Sequence, residues 1–127
     1  MIKELAIVGF GSFLGGAFRY YLSIYILSLN LKPSLPYPTL IINILGCFLI
    51  GIAAGFIQEN LISNNLRLFL LTGILGGFTT FSAFGYESLM LIKSEHFFSA
   101  LSYCLASVFF GIFAVFLGLK ITNQFLQ

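Results

Sequence analysis

Apolar residues fill this chain in four long blocks separated by short polar stretches. The blocks are Leu5 to Leu29, Tyr37 to Ile57, Leu68 to Ile92 and Phe97 to Leu119. Each reaches the ~20 residues that a helix rising about 1.5 Å per residue needs to cross the hydrocarbon of a bilayer. The links are Lys32-Pro33-Ser34-Leu35-Pro36, read as a proline-marked turn, a polar stretch from Glu59-Asn60 through Asn64-Asn65, and the charged Lys93-Ser94-Glu95-His96. The pattern predicts an all-α membrane protein of four transmembrane helices, with residues 1–127 forming a single four-helix transmembrane domain.

Composition strengthens that reading and removes other classes. Of 127 residues 59% are hydrophobic and 8% charged, and the mean hydropathy is +1.04, far above an ordinary soluble domain. Six basic residues against four glutamates leave too little charge for a nucleic-acid footprint or an acidic interaction tail. Cys47 and Cys104 lie inside apolar blocks without metal-ligand spacing and read as buried small hydrophobes. His96 stands in a polar link with no second His or Cys nearby and reads as a solvated loop residue. The first apolar block is too long for a signal peptide and continues into Arg19-Tyr20-Tyr21, so it reads as a mature helix.

Four crossings bring both termini to one side, where Lys3, Arg67 and Lys120 stand against Lys32 and Lys93 on the other. Arg19, inside a helix, is not assignable by this rule. So even a count gives weak orientational bias: insertion in both orientations, which permits antiparallel dimers, and insertion in one are both open. Glycines pair at helix-packing spacing, Gly11/Gly15, Gly51/Gly55 and Gly73/Gly77, which predicts close backbone approach. Four helices are too few to enclose a roomy aqueous pore, so a conduction path would be narrow or lie between subunits.

Polar groups deep in a membrane helix need partners or a cavity, and those far from the block ends are therefore informative. Arg19 lies well inside the first block, either lining a wet vestibule that attracts anions or snorkelling onto backbone carbonyls. Asn43 sits near the middle of the second, with Gly46, Cys47 and Ile50 on its face; its amide can donate to an anion or join helices. Gly73-Ile74-Leu75-Gly76-Gly77-Phe78-Thr79-Thr80-Phe81-Ser82-Ala83-Phe84-Gly85 is a poor prescription for an unbroken helix. A break is expected there, with a buried ion site as its corollary, because non-helical backbone at membrane depth presents carbonyls to cations and N–H groups to anions. A continuous helix whose small residues serve packing is the alternative. Phe81 and Phe84, three apart, share one side of the following half-helix, where their positive ring edges can face a small anion. Ser99, Tyr103 and Ser107 repeat every four residues in the last block, continued by Gly111, as a polar stripe.

Three segments together resemble the CrcB, or Fluc, family of small fluoride channels, with signatures GGxxGAxxRY, TLxxNxxGxFxxG and GxxGGxTTFSTF. Here they read Gly11 to Tyr20, Thr39 to Gly51 and Gly73 to Phe84, in order on three helices. The resemblance implies an antiparallel dual-topology homodimer in the cell (inner or plasma) membrane, with two narrow pores that export fluoride passively and give fluoride resistance. It implies pore roles for Asn43, Phe81 and Phe84, a polar track including Ser82, Tyr103 and Ser107, and a vestibule role for Arg19. It further implies a structural Na+ at the dimer interface, held by backbone carbonyls of Gly76 and Thr79 from both subunits. One departure stands out: Ala83 replaces the usual threonine and removes a hydroxyl. Fluoride suits such a site because it is small and strongly hydrated, so N–H, O–H and ring-edge contacts must replace its water.

Two other readings have specific residue requirements. A small multidrug transporter, also four helices, would need a membrane-embedded glutamate in its first helix, where this chain has Arg19; Glu87 lies late in the third block, toward water or a vestibule. A structural subunit would use Asn43 and the third block for packing only. An enzyme is not indicated, since no nucleophile, base and orienting group share a workable depth.

Overall fold

The computed structural model describes residues 1–31 and 34–126, so Lys32 and Pro33 of the expected proline-marked turn lie outside the described residues. The chain forms α1 (Ile2–Ser28), α2 (Tyr37–Gln58), α3 (Asn64–Arg67), a π-helical segment (Leu68–Leu75), α4 (Gly76–Phe78), α5 (Phe81–Lys93) and α6 (Phe97–Leu126). These make four helical passages long and apolar enough to cross a membrane, the third running from Asn64 to Lys93. The third passage begins before its apolar block because Ser63 caps α3, its hydroxyl accepting from the Leu66 N–H at 3.4 Å. The fourth runs seven residues beyond Leu119 because Thr122, nearly fully buried, keeps the helix docked on α2, its hydroxyl donating to the Ile52 carbonyl at 3.3 Å and the Gly118 carbonyl at 3.1 Å. Asn30, Asn60 and Glu95 follow the helix ends with positive φ, a conformation that asparagine tolerates and that turns the chain sharply.

Two helix pairs organise the packing, α2 against α6 and α1 against the π-helical segment with α4. Both depend on missing side chains. A β-carbon on Gly11 would sit 2.9 Å from the Gly73 α-carbon, and one on Gly77 would sit 2.9 Å from the Ser12 α-carbon. In the other pair a β-carbon on Gly118 would come 2.9 Å from the Ile52 nitrogen, and one on Gly55 would meet the Thr122 side chain at 2.7 Å. In lipid, where apolar surface gains little by leaving its solvent, this backbone-to-backbone contact supplies the dispersion energy that holds helices together. The π-helical stretch has no sequence signature; such turns widen a helix and accompany functional sites.

Along the third passage the backbone leaves the helix after Phe78. Thr79 (φ −87°, ψ 159°) and Thr80 (φ −150°, ψ 118°) are extended, and helix resumes at Phe81. The glycines that attract attention in the sequence are all in helical backbone, and among the described residues no glycine has a positive φ. The extended residues are two threonines, for which extended backbone is an ordinary preference.

Gly118→Val is expected to destabilise the protein by about 2–3 kcal/mol or to block folding, since two backbones leave no room. Gly16→Ala, at a position open for 4 Å around, should leave thermal unfolding in detergent unchanged.

Candidate functional site

One face of α2 organises the polar groups of the third passage. Thr39, Asn43 and Gly46 follow one another at helical spacing, and their partners run the opposite way along the facing chain. The Thr39 hydroxyl donates to Glu87 Oε1 at 2.7 Å. The Asn43 Nδ2 donates to the Thr80 carbonyl at 3.1 Å, and the Thr80 N–H donates to Asn43 Oδ1 at 2.9 Å. A β-carbon on Gly46 would collide with Thr79 Cγ2, so the absent side chain lets the extended segment lie against α2.

Asn43 thus treats Thr80 as a neighbouring strand would, pairing both its donor and its acceptor. That removes the Thr80 N–H from the Gly76 carbonyl, its partner in a continuous helix. The next helix restarts under side-chain control as well, with the Thr80 hydroxyl accepting from the Ala83 N–H at 3.3 Å as the cap of α5. That N–H would otherwise pair with the Thr79 carbonyl. Thr79 turns its own donors backward, N–H and hydroxyl both to the Leu75 carbonyl, at 3.0 Å and 2.9 Å. The Gly76 and Thr79 carbonyls are therefore relieved of their helical partners at one place, where hard oxygen ligands of this kind suit a small alkali cation.

A cavity of about 390 Å³ opens beside this segment. Asn43, Gly76, Thr79, Phe81, Phe84 and Ser107 line it together with Gly46, Cys47 and Ile50. Phe81 is 84% exposed on the single chain, its ring 5.6 Å from that of Phe84, which in turn lies 5.2 Å from the Tyr103 ring. Of the site residues that the resemblance implies, three stand outside this cavity. Ser82 is exposed at the start of α5, its hydroxyl 3.1 Å from that of Thr80. Arg19 lines a separate cavity between α1, α2 and α5. Tyr103 is fully buried, and its hydroxyl donates to Glu87 Oε2 at 2.7 Å.

Glu87, read from the sequence as facing water or a vestibule, also takes part in packing between helices. It is half-buried and accepts from Thr39 on α2 and Tyr103 on α6, joining three helices through one carboxylate. Thr80, Phe84 and Glu87 stand at 0, +4 and +7, so the spacing carried a signal that Glu87 shares the inner face. The far side of Glu87 opens, with His96, onto a cavity of about 310 Å³ near the α5–α6 link; the His96 side chain is exposed. Among the described residues no group of three or more His, Cys, Asp or Glu comes together to hold a metal ion.

Comparison with known proteins adds to this geometry. The family model described as "CrcB-like protein, Camphor Resistance (CrcB)" matches residues 6–119. The chain belongs to the CrcB family. A relative from Rhizobium meliloti (strain 1021) named "Fluoride-specific ion channel FluC" is 40% identical over 121 residues, covering 94% of this chain and 96% of its own. Proteins of the same name from Thermus thermophilus and Methylobacillus flagellatus are 41% and 38% identical, over 94% and 98% of this chain and 95% and 98% of their own. As a CrcB protein with four membrane-length passages, the chain is a multi-pass membrane protein.

Asn43→Leu removes both bonds to Thr80 and leaves two backbone groups without partners at membrane depth. We expect it to lower unfolding stability by about 2–4 kcal/mol, measured by thermal or denaturant unfolding in detergent, with Asn43→Gln, which keeps an amide but misplaces it, falling between.

Proposed function

We propose that this protein is a fluoride-selective channel, exporting fluoride from the cytoplasm by passive conduction and thereby giving fluoride resistance, as one subunit of an antiparallel dual-topology homodimer in the cell membrane. The observation that carries this reading is the near-full-length similarity to proteins named fluoride-specific ion channels, joined to a cavity that gathers Asn43, Phe81, Phe84 and Ser107 around one non-helical segment.

The chemistry follows from the donors that remain. An amide Nδ2 carries two hydrogens, and Asn43 uses one on the Thr80 carbonyl. Its second N–H and the Ser107 hydroxyl can donate to a fluoride ion, while the ring edges of Phe81 and Phe84 add weakly positive C–H groups without binding so tightly that the ion stays. Ser82 and Tyr103 flank this route, Ser82 at the exposed start of α5 and Tyr103 behind Phe84, and Arg19 raises local anion concentration from its own cavity. The exposed Phe81 ring and the open cavity favour completion of the path by a second copy of the chain, which the near-even basic residue count permits in the opposite orientation.

The Gly76 and Thr79 carbonyls, freed of their helical partners, fit a structural Na+ shared with the second subunit. Bound there, sodium would supply a positive charge that joins two carbonyl-rich segments. The protein's own part is to keep those oxygens free of helical donors, which Asn43 does by taking the Thr80 N–H and the Thr80 hydroxyl by taking that of Ala83.

Fluoride efflux from liposomes holding purified protein, read with a fluoride electrode, tests the reading, with chloride and a proton-coupled drug substrate as controls. Rapid fluoride release with chloride retained is expected; proton-dependent drug movement without fluoride release would move the protein to the multidrug class. Phe81→Ile should cut fluoride efflux at least about tenfold, a barrier change of roughly 1.4 kcal/mol, and leave the dimer intact by light scattering. Replacing sodium with a large organic cation during purification should reduce the dimer fraction, whereas an unchanged fraction would remove the proposed sodium role.

A further inference from the structure

The α6 helix packs inward through Gly111, Ala114, Gly118 and Thr122, which are buried. On its opposite side Phe109, Ile112, Phe113 and Phe116 are exposed. Lys120, Asn123 and Gln124 continue that outer stripe, since they follow Phe116 at intervals of three and four residues. The polar end of the stripe is a groove of about 280 Å³, lined by Phe116, Leu119, Lys120, Asn123 and Gln124.

Depth gives the groove a meaning. The block from Phe97 to Leu119 carries no charge, so its middle residue, Val108, belongs at the centre of the bilayer. Lys120 then stands roughly 18 Å from that centre at ~1.5 Å per residue, just outside a hydrocarbon layer of ~15 Å half-thickness. That is the level of lipid phosphates. Phe109 lies roughly 16 Å deeper than Lys120, about the depth of one leaflet of acyl chain. A cation with two amides at the phosphate level and an aromatic track below it match a phospholipid part for part. Among the described residues the one ion pair joins the Met1 ammonium to Glu4, so no carboxylate answers Lys120.

Two other occupants fit less well. Helices that meet one another in lipid do so across small residues, as α2 and α6 do through Gly51, Gly55 and Gly118. The outer stripe holds only Phe, Ile and Leu before its polar end, which disfavours a second copy of the chain. A free phosphate would gain nothing from the rings that lead away from Lys120.

We propose that this stripe of α6 binds an anionic phospholipid, its phosphate held by Lys120 with the Asn123 and Gln124 amides and an acyl chain lying along Phe116, Phe113 and Phe109. The site is separate from the Asn43 cavity and does not rest on the channel reading.

Native mass spectrometry of the delipidated protein, titrated with phosphatidylglycerol in detergent, tests this. The natural protein should retain a single lipid per chain, and Lys120→Gln should weaken that binding about tenfold, as loss of a charge-assisted contact implies. Lys120→Arg should retain it. Lys3→Gln, which removes an equal charge at the same end of the molecule, should leave it unchanged. Phe116→Ser should also weaken binding, and excess inorganic phosphate should not displace the lipid. Both altered side chains are exposed, so the variants should unfold at the natural temperature. Equal losses from Lys3→Gln and Lys120→Gln would overturn the proposal in favour of general attraction to the basic end. Displacement by inorganic phosphate would replace the lipid with a soluble anion. Failure to retain lipid, with Ile112→Cys cross-linking readily between copies, would show that a second chain covers the stripe.

Discussion

The pairing of one side-chain amide with one peptide group is the interaction on which the rest of the structure depends. Asn43 presents a donor and an acceptor in the geometry of a neighbouring strand, and Thr80 accepts both offers. Inside a membrane an extended residue cannot turn to water for its hydrogen bonds, so two consecutive extended threonines require a partner fixed on another helix. Once that partner is in place, the carbonyls of Gly76 and Thr79 lose their helical N–H groups, α5 restarts from the Thr80 cap, and Phe81 and Phe84 emerge beside the polar segment. The features a small-ion path needs thus follow from a single pair of bonds.

The α2 helix supplies the rest. Thr39 reaches Glu87, Gly46 yields space to Thr79, and Gly51 and Gly55 let α6 approach on the other side. This places the polar residues on a helix wedged between tightly packed neighbours, where side-chain rotamers have little freedom. Rigid support matters for the proposed fluoride path in particular. An ion so strongly hydrated passes only if replacement donors are held in place before it arrives, because a flexible site would collapse onto its own hydrogen bonds. Thr79 illustrates how such collapse is avoided: the Thr80 hydroxyl takes the Ala83 N–H that would otherwise close onto the Thr79 carbonyl.

Much of the architecture was legible in the sequence because the bilayer imposes a simple rule. Four apolar blocks of spanning length give four helical passages, and glycines spaced by four mark the contacts where helices approach most closely. Helix ends were less legible. Ser63 and Thr122 extend two passages by hydrogen bonds that hydropathy does not register. At the site, the cluster Gly73 to Gly85 drew attention to the right stretch through its glycines, yet the extended residues are Thr79 and Thr80, selected by Asn43 across the helix interface. That is a tertiary effect which no local propensity encodes. Glu87 was legible only in part: its position near a block end suggested water or a vestibule, and it does line an open cavity, but its two hydroxyl partners lie on other helices. The π-helical turn at Leu68–Leu75 had no local signal at all.

Backbone amide hydrogen exchange at Thr80, read by NMR on threonine-labelled protein and on the Asn43→Ala variant, tests the central claim most directly. The Thr80 amide should be protected in the natural protein and exchange at least about tenfold faster in the variant, while the amide of Thr122, in α6, keeps its protection in both. Undiminished protection at Thr80 without the Asn43 amide would contradict the account, since it would mean that the N–H finds its partner within its own helix.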